Sequence, residues 1–210
     1  MKILVAGSRG AVGRFLIDKL VARGHDVTGM VRSESQRDDL LQTGARATLA
    51  DVSRKETLDA AMAGQDAVVF AAGSKGKAVE AVDRDGAIHL CDTAKNVGVR
   101  RLVLLSSIYA GRPEQGPENL RRYLHAKHEA DAYVAASGLD YTILRPGYLN
   151  DEPGTGKIQT GDAFDGTDAQ ISREDVAEVI AASLAEPGTI GAVFEFINGE
   201  TPVAEALARL

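Results

Sequence analysis

The sequence predicts an α/β protein built on one doubly wound parallel β-sheet, with helices on both faces and a small C-terminal cap. Short apolar runs rich in Val, Ile and Leu alternate with longer stretches of helical periodicity, which is typical of parallel strands joined by crossover helices. The apolar runs are continuous rather than alternating, and this indicates strands that are buried on both faces.

Seven strands and six helices follow from this alternation. The strands are predicted at Ile3–Ala6, Asp26–Val31, Ala45–Leu49, Ala67–Ala71, Arg101–Ser106, Tyr141–Arg145 and Val193–Ile197. The helices are predicted at Val12–Arg23, Glu34–Leu41, Lys55–Met62, Val79–Val97, Asn119–Ala136 and Arg173–Leu184. Five glycines fall just past a predicted helix or in the turn into the next strand, where a left-handed residue is needed: Gly24, Gly44, Gly64, Gly98 and Gly138.

Two segments, Gly111–Glu118 and Asn150–Gln170, interrupt this rhythm, and each follows the C-terminal end of a strand. Open α/β sheets bind ligands at that edge, so we interpret both segments as walls of a substrate site. No repeat or linker divides the chain. We therefore expect one domain over residues 1–210, in which residues 146–210 contribute the small cap on the substrate side.

The composition restricts the partners. The chain has 210 residues and a formal net charge of −6, which disfavours binding to nucleic acid. Its single cysteine, Cys91, excludes an intramolecular disulfide, and its four histidines show no metal-ligand spacing. The N-terminus has neither a signal sequence nor the ~20 apolar residues of a membrane span. We expect a cytoplasmic protein that binds no metal, membrane or nucleic acid.

A glycine-rich turn links the first predicted strand to the first helix. Glycines at three-residue spacing allow a tight turn, a close approach of the backbone to a pyrophosphate, and close packing of helix on strand. The position of the motif between strand and helix favours dinucleotide binding over a merely tight turn. The predicted contacts are Gly7, Ser8, Arg9, Gly10, Ala11, Val12 and Gly13.

The end of the second strand indicates which dinucleotide binds. NAD-binding proteins place an acid there for the ribose 2′-hydroxyl, whereas this chain has Arg32 and Ser33. Arg32 is suited to clamp a 2′-phosphate, with Ser33 donating to it and Arg9 reaching it from the glycine turn. A solvated arginine at a helix start is the alternative. We favour NADP(H) over NAD(H).

Further cofactor contacts are predicted after the third and fourth strands. Asp51 suits the adenine edge, although it equally suits the N-cap of a helix. Ala71, Ala72 and Gly73 are small enough to pass beneath the adenosine ribose. Together with the glycine turn, these residues outline one cofactor groove along the carboxyl edge of the sheet.

Several motifs make the chain resemble the short-chain dehydrogenase/reductase superfamily, above all its atypical branch of NAD(P)H-binding and epimerase/dehydratase-like proteins. Besides the glycine turn they are Asp83–Ala87, Leu105–Ser107, Tyr123–Lys127 and Leu144–Gly147, so that the resemblance covers essentially the whole chain. It implies a Rossmann fold that binds NADP(H), with a Ser/Tyr/Lys site in the members that keep it.

The residues support that chemistry on their own account. Tyr123 and Lys127 are four apart on a predicted helix and project from one face. A nearby ammonium lowers the pKa of a tyrosine, so we expect Tyr123 to be an acid/base and Lys127 to assist it or hold the nicotinamide ribose. Ser107 is placed to orient the substrate oxygen. The alternative is a solvated, charged helix face on which Tyr123 merely packs.

One position qualifies the catalytic prediction. Asp83 stands where the long-studied dehydrogenases carry an asparagine, so it either relays protons itself or marks a site that has lost the standard mechanism. The resemblance implies that this branch often keeps the Asp while varying the tyrosine. Pro146 and Gly147 are expected beside the nicotinamide, although Arg-Pro-Gly is also an ordinary strand terminator.

Three functions fit these residues. The first is an NADP(H)-dependent oxidoreductase acting on a small carbonyl, quinone or flavin-like acceptor. The second is a nucleotide-sugar epimerase or dehydratase, against which stand the mere 65 residues that follow Arg145. The third is a non-enzymatic NADP-binding redox sensor similar to NmrA-like regulators, which needs no Tyr/Lys pair. We predict the first, in a monomer or weak homodimer, because the fifth helix has no clear apolar outer stripe.

Overall fold

The computed structural model describes residues 1–210, and its main feature is a mixed nine-stranded β-sheet with helices on both sides. The strands of the chain are β1 (Lys2–Ala6), β2 (Asp26–Val31), β3 (Arg46–Leu49), β4 (Ala67–Phe70), β5 (Arg101–Leu105), β6 (Asp140–Pro146), β7 (Tyr148–Asn150), β8 (Lys157–Gly161), β9 (Gln170–Ser172), β10 (Val193–Asn198) and β11 (Thr201–Pro202). The α-helices are α1 (Ala11–Ala22), α2 (Glu34–Leu41), α3 (Leu58–Met62), α4 (Asp85–Val97), α5 (Arg121–Ala135), α6 (Arg173–Ala185) and α7 (Val203–Leu207).

The strand order is β11-β8-β10-β6-β5-β4-β1-β2-β3, and β7 and β9 form a separate two-stranded parallel sheet. The predicted Rossmann-like α/β fold is confirmed, since all seven predicted strands lie parallel in the main sheet. Strands β1, β2 and β3 are added toward one edge of the sheet and β4, β5 and β6 toward the other, so the strand order reverses between the parallel neighbours β1 and β4. The carboxyl ends of these two strands border the crevice typical of doubly wound sheets.

The sheet separates two apolar cores. Ile3 and Val5 of β1 pack on the face covered by α1 and α6, whereas Leu4 and Ala6 pack on the face covered by α3, α4 and α5. Successive side chains of a strand point to opposite faces, so a strand buried on both sides must be apolar throughout. The continuous apolar runs of the sequence are explained by this arrangement.

The segment predicted as a long loop over Asn150–Gln170 contains secondary structure instead. Strand β8 pairs antiparallel with β10 and with β11, and thus extends the sheet beyond its parallel part. Only Ile158 of this strand is fully buried, between the exposed Lys157 and Gln159. This short alternation at a sheet edge is a weak sequence signal, and α7 was likewise not predicted.

One predicted helix, Val79–Val97, is not a continuous α-helix. Its first part, Val79–Arg84, is π-helical, and α4 begins at Asp85. The wider turn leaves Asp83 only 2% exposed while Glu80 and Arg84 stay at the surface. Such π-helical turns are rare and often occur at functional sites.

The turn glycines have the conformation that the sequence predicts. Gly24, Gly44, Gly64, Gly98 and Gly138 all have φ between 73° and 84°, in the left-handed region. No helix is both long and apolar enough to cross a membrane.

Candidate functional site

The glycine turn is packed so closely that two of its glycines leave no space for a side chain. A Cβ on Gly7, whose φ is +91°, would lie 2.5 Å from backbone atoms of Ala71 and Ala72. A Cβ on Gly13 would lie 2.1 Å from the carbonyl oxygen of Gly7. The turn therefore presses against the end of β4 on one side and against α1 on the other.

The N-terminus of α1 opens toward the groove. Its N-cap is Gly10, which provides no side-chain cap, and the N–H groups of Arg9, Ala11 and Val12 donate to no backbone oxygen. Unpaired N–H groups at the positive end of a helix dipole form an anion site. Val12 contributes only backbone here, since its side chain lies in the core.

Ser8 has a structural role in this turn. It is buried, and its Oγ donates to the carbonyl oxygen of Met30 at 2.7 Å, so the hydroxyl points to β2 rather than into the groove. Ser33 also lies outside the groove, at the N-cap of α2, with its Oγ 3.0 Å from that of Ser35.

Five cationic side chains line the groove: Arg9, Arg14, Arg32, Lys75 and Lys77. Arg9 is paired with Asp39 across the start of the groove, whereas the other four have no carboxylate within ion-pair distance. Arg32 is exposed, and its backbone N–H donates to Gln36 Oε1 at 2.9 Å, which leaves the guanidinium free. The groove thus concentrates positive charge in a chain whose net charge is negative.

The floor of the groove is made of small residues. Ala71, Ala72 and Gly73 line it after β4, and Asp51 lines it after β3. The Oδ1 of Asp51 accepts from the N–H of Ser53 at 2.9 Å and from its hydroxyl at 2.8 Å. Asp51 therefore closes a local turn rather than capping an α-helix, and its second oxygen has no partner. Donors, cations and open floor together fit a nicotinamide dinucleotide.

A second pocket, of about 150 Å³, adjoins the carboxyl ends of β5 and β6. Its lining is apolar and hydroxyl-bearing, without a charged side chain: Ser106, Ser107, Ile108, Tyr109, Leu120, Tyr123, Leu124, Pro146, Gly147, Tyr148 and Leu149. The pocket contains the predicted Ser107 and Tyr123, and we call it the substrate pocket.

Tyr123 does not have the electrostatic environment that its spacing from Lys127 suggests. Burial raises the pKa of its hydroxyl, the nearby Asp83 carboxylate raises it further, and the Ser107 hydroxyl opposes the shift. The expectation that Lys127 lowers the pKa of Tyr123 is therefore wrong. In the protein without cofactor, Tyr123 is a protonated phenol suited to give a proton.

Lys127 is a buried support of the site. It is 1% exposed, and its Nζ donates to the carbonyl oxygen of Leu105 at 2.7 Å and lies 5.4 Å from the ring centroid of Phe70. Burial lowers its pKa, while Asp131 and Asp83 act in the opposite direction. The ammonium thus holds the end of β5, directly before the two serines of the pocket.

Asp83 fastens the loop after β4. Its carboxylate accepts from the N–H of Ser74 at 3.2 Å and from the Ser74 hydroxyl. Because Asp83 also lies near Tyr123 and Lys127, it connects the cofactor groove with the substrate pocket.

Pro146 and Gly147 continue β6 along the wall of the substrate pocket. The carbonyl of Pro146 accepts from the N–H of Ile108 at 2.8 Å, and the N–H of Gly147 donates to Phe196 at 2.9 Å. A Cβ on Gly147 would lie 2.2 Å from the Ala169 carbonyl. These backbone groups are engaged in the fold, and the pair shapes the pocket by its close packing.

A buried ion pair beside the pocket, formed by Arg112 and Glu195 at 3.0 Å, does not follow from the predicted motifs. An acid within the apolar run Val193–Ile197 was the available signal, because a buried carboxylate requires partners.

Comparison with known proteins agrees with this geometry. A family model described as NAD(P)H-binding matches residues 7–187. An uncharacterized sugar epimerase of Bacillus subtilis is 40% identical over 216 residues that cover both chains entirely. A Bacillus halodurans structure, provisionally named an NAD-dependent epimerase/dehydratase, is 40% identical over both full chains with a TM-score of 0.95.

An oxidoreductase structure from Lactococcus lactis is 32% identical, with a TM-score of 0.90, and the match covers 100% of this chain and 96% of that one. The relatives thus include both of the enzyme classes that the sequence suggests. With its glycine turn, cationic groove and full-length similarity, the chain belongs to the NAD(P)H-binding family of oxidoreductase- and epimerase-like proteins.

Proposed function

We propose that this protein is an NADP(H)-dependent oxidoreductase that reduces a small carbonyl, quinone or flavin-like acceptor. The observation that carries the proposal is the lining of the substrate pocket, which combines apolar and aromatic side chains with hydroxyl groups and has no charged side chain. Such a lining suits a neutral, ring-shaped acceptor, because aromatic side chains pack on planar groups.

The same lining argues against a nucleotide sugar as substrate. A nucleoside diphosphate carries charge that binding sites meet with Arg, Lys or helix N-termini. Five cations line the cofactor groove, whereas none lines the pocket beside Tyr123. We therefore rank the reductase above the epimerase, although relatives carry both names.

NADPH, when held in the cofactor groove, would supply the hydride. The protonated Tyr123 hydroxyl then gives a proton to the acceptor oxygen, and Ser107 holds that oxygen by a hydrogen bond. Lys127 keeps the β5 end in place through Leu105, and the apolar walls exclude water from the reacting groups. Each of these roles uses a side chain at or directly behind the pocket.

An oxidation screen tests the activity. NADPH consumption is measured with quinones, flavins, aldehydes and nucleotide sugars, using the wild type, Tyr123→Phe and the matched control Tyr133→Phe. Tyr133 is on the same helix, 40% exposed, with its hydroxyl bonded to Asp92. We expect turnover with quinones or flavins, and a loss on the order of a hundredfold for Tyr123→Phe alone. Turnover of nucleotide sugars only, or tight NADPH binding without any turnover, contradicts the proposal.

A binding titration tests the cofactor preference. We expect NADPH to bind more tightly than NADH, and Arg32→Ala to remove roughly a tenfold or larger difference, since hydrogen bonds between charged groups contribute about 1.5–3 kcal/mol. Arg37→Ala is the control, because Arg37 is exposed on the neighbouring helix and pairs with Glu34. Equal affinity of the wild type for both cofactors removes the NADP(H) assignment.

A further inference from the structure

One buried carboxylate, Glu195 on β10, anchors two loops beside the substrate pocket. Glu195 is 1% exposed. Its Oε1 accepts from the N–H of Tyr109 at 3.3 Å and from Arg112 Nη1 at 3.0 Å. Its Oε2 accepts from the N–H of Phe164 at 2.8 Å and from Arg112 Nη2 at 3.4 Å. All four donors come from residues distant from Glu195 in the sequence.

These donors belong to two segments, one that lines the pocket and one that packs against its lining residues. Tyr109 lines the pocket and has the unusual φ of +66° for a residue other than glycine. Phe164, from the segment between β8 and β9, packs in the same small apolar cluster as Tyr109, Tyr123 and Tyr148. The two loops also contact each other, because the N–H of Gly166 donates to the Tyr109 hydroxyl at 3.1 Å.

Arg112 completes the link between the loops. Besides Glu195, its Nη2 donates to the carbonyl of Phe164 at 2.6 Å and to Asp165 Oδ1 at 3.0 Å. Its guanidinium lies 4.8 Å from the ring centroid of Tyr109. The planar guanidinium of Arg112 therefore joins the loop after β5 to the loop after β8, and Glu195 accepts from both loops.

We infer that Glu195, acting through Arg112, is a positioning residue for acceptor binding, because it sets the spacing of the loops that carry Tyr109 and Phe164. The kinetic part of this inference rests on the proposed function. Both carboxylate oxygens accept from two donors, and an amide provides only one acceptor atom while its NH₂ group faces two donors. Glu195→Gln is thus nearly isosteric yet loses one of the two accepting oxygens, and both loops should loosen because Arg112 and Gly166 also join them to each other.

Glu195 and Arg112 belong to the acceptor side of the site. Neither forms a hydrogen bond with a residue that lines the cofactor groove. A loosened loop pair therefore changes how the acceptor is held and leaves the dinucleotide contacts in place. Loss of a residue that served only general stability would instead weaken the binding of both acceptor and cofactor, in proportion to the loss of folded protein.

Asp175 provides the matched control. It is also 1% exposed, and its carboxylate accepts from loop amides, the N–H of Thr155 at 2.9 Å and the N–H of Gly156 at 2.7 Å. It lines neither the groove nor the substrate pocket. Asp175→Asn thus makes the same chemical change at another buried loop anchor.

Hydrogen–deuterium exchange tests the inference without any turnover. In Glu195→Gln we expect faster exchange at residues 109–116 and 162–166 together, with residues 7–13 unchanged. In Asp175→Asn we expect faster exchange near residues 154–156 alone. Unchanged exchange at both pocket loops in Glu195→Gln overturns the inference. If Glu195→Gln does not fold, the same exchange comparison is made with Arg112→Lys, which keeps the positive charge but loses the planar guanidinium.

Steady-state kinetics provide a second test of the role of Glu195. We expect Glu195→Gln to raise the KM for the acceptor by about tenfold, as for the loss of one charge-assisted hydrogen bond, with the Kd for NADPH unchanged. Equal changes of acceptor KM in Glu195→Gln and Asp175→Asn, or a parallel loss of NADPH binding, overturn the inference. If the wild type turns over no acceptor, the proposed function fails, while the exchange comparison still decides the role of Glu195.

Discussion

Replacing Gly13 by alanine places two physical effects in direct opposition. Gly13 lies in the first turn of α1, and alanine is favoured over glycine in helix interiors by up to about 1 kcal/mol. The added Cβ, however, would lie 2.1 Å from the Gly7 oxygen and 2.9 Å from the Gly7 carbonyl carbon. Helix propensity predicts a more stable protein, and the close contact predicts a less stable one.

The distances decide between the two effects. An ordinary contact begins near 3.4 Å, so the Gly7 oxygen has to move by about 1.3 Å. Gly7 has little space to move, because it already packs on the backbone of Ala71 and Ala72. Overpacking of this kind costs about 1–3 kcal/mol, and a rigid backbone neighbour puts the cost at the upper end. After subtraction of the helix-propensity gain of up to about 1 kcal/mol, we expect Gly13→Ala to destabilise the protein by about 2 kcal/mol, or to lower Tm by about 4–8 °C.

Thermal unfolding and NADPH titration measure both consequences, with Gly10→Ala as the matched variant. A Cβ on Gly10 would lie 3.1 Å from the same Gly7 oxygen, so only a small adjustment is needed. We expect Gly10→Ala to melt close to the wild type and Gly13→Ala to lose both stability and NADPH affinity. A Gly13→Ala protein that melts at or above the wild-type temperature and binds NADPH normally would refute the reasoning.

The other predictions concern buried ionisable groups. Burial and Asp83 raise the pKa of Tyr123 above its ordinary value of 10, so Tyr123 should stay protonated up to pH 10. The pH profile of kcat/KM for acceptor reduction should therefore show no decline below pH 10 that disappears in Tyr123→Phe. Arg145 Nε lies 2.9 Å from the carboxylate of Asp131, which is 3% exposed, and Arg145→Met removes this partner. The substitution should lower the free energy of unfolding, measured with urea near neutral pH, by about 3–5 kcal/mol. Arg100→Met, in an exposed pair, should cost less than about 1 kcal/mol. Because burial raises the pKa of Asp131, the loss in Arg145→Met should shrink as the pH falls and the acid takes up a proton; a loss independent of pH contradicts this.

The parallel part of the fold was predictable because its strands are buried on both faces and therefore apolar throughout. Strand β8 was not, since Lys157–Gly161 contains one buried apolar side chain, Ile158, and its position depends on the free edge of β10. The π-helical turn could not be predicted either, because the apolar periodicity of Val79–Val97 does not reveal the single wider turn that places Asp83 in the interior.

The candidate site was predictable where backbone geometry dictates the residue type, as in the glycine turn. Helical spacing correctly put Tyr123 and Lys127 on one face, but it carries no information on where an ammonium finds its acceptor, here the carbonyl of Leu105. Glu195 was missed because its donors, among them Tyr109 and Phe164, come from distant segments and meet only in the folded chain.

The cationic groove also divides the charge of the molecule. Five cations and one acid line it, so the remainder of the chain carries −10 within a total of −6. A multiply charged dinucleotide is attracted to this face and repelled elsewhere, which speeds its arrival and makes the association rate fall with added salt. A neutral acceptor experiences no such steering. The two partners of one reaction would thus reach adjacent pockets under different forces, and ionic strength would change the rate of arrival of one of them only.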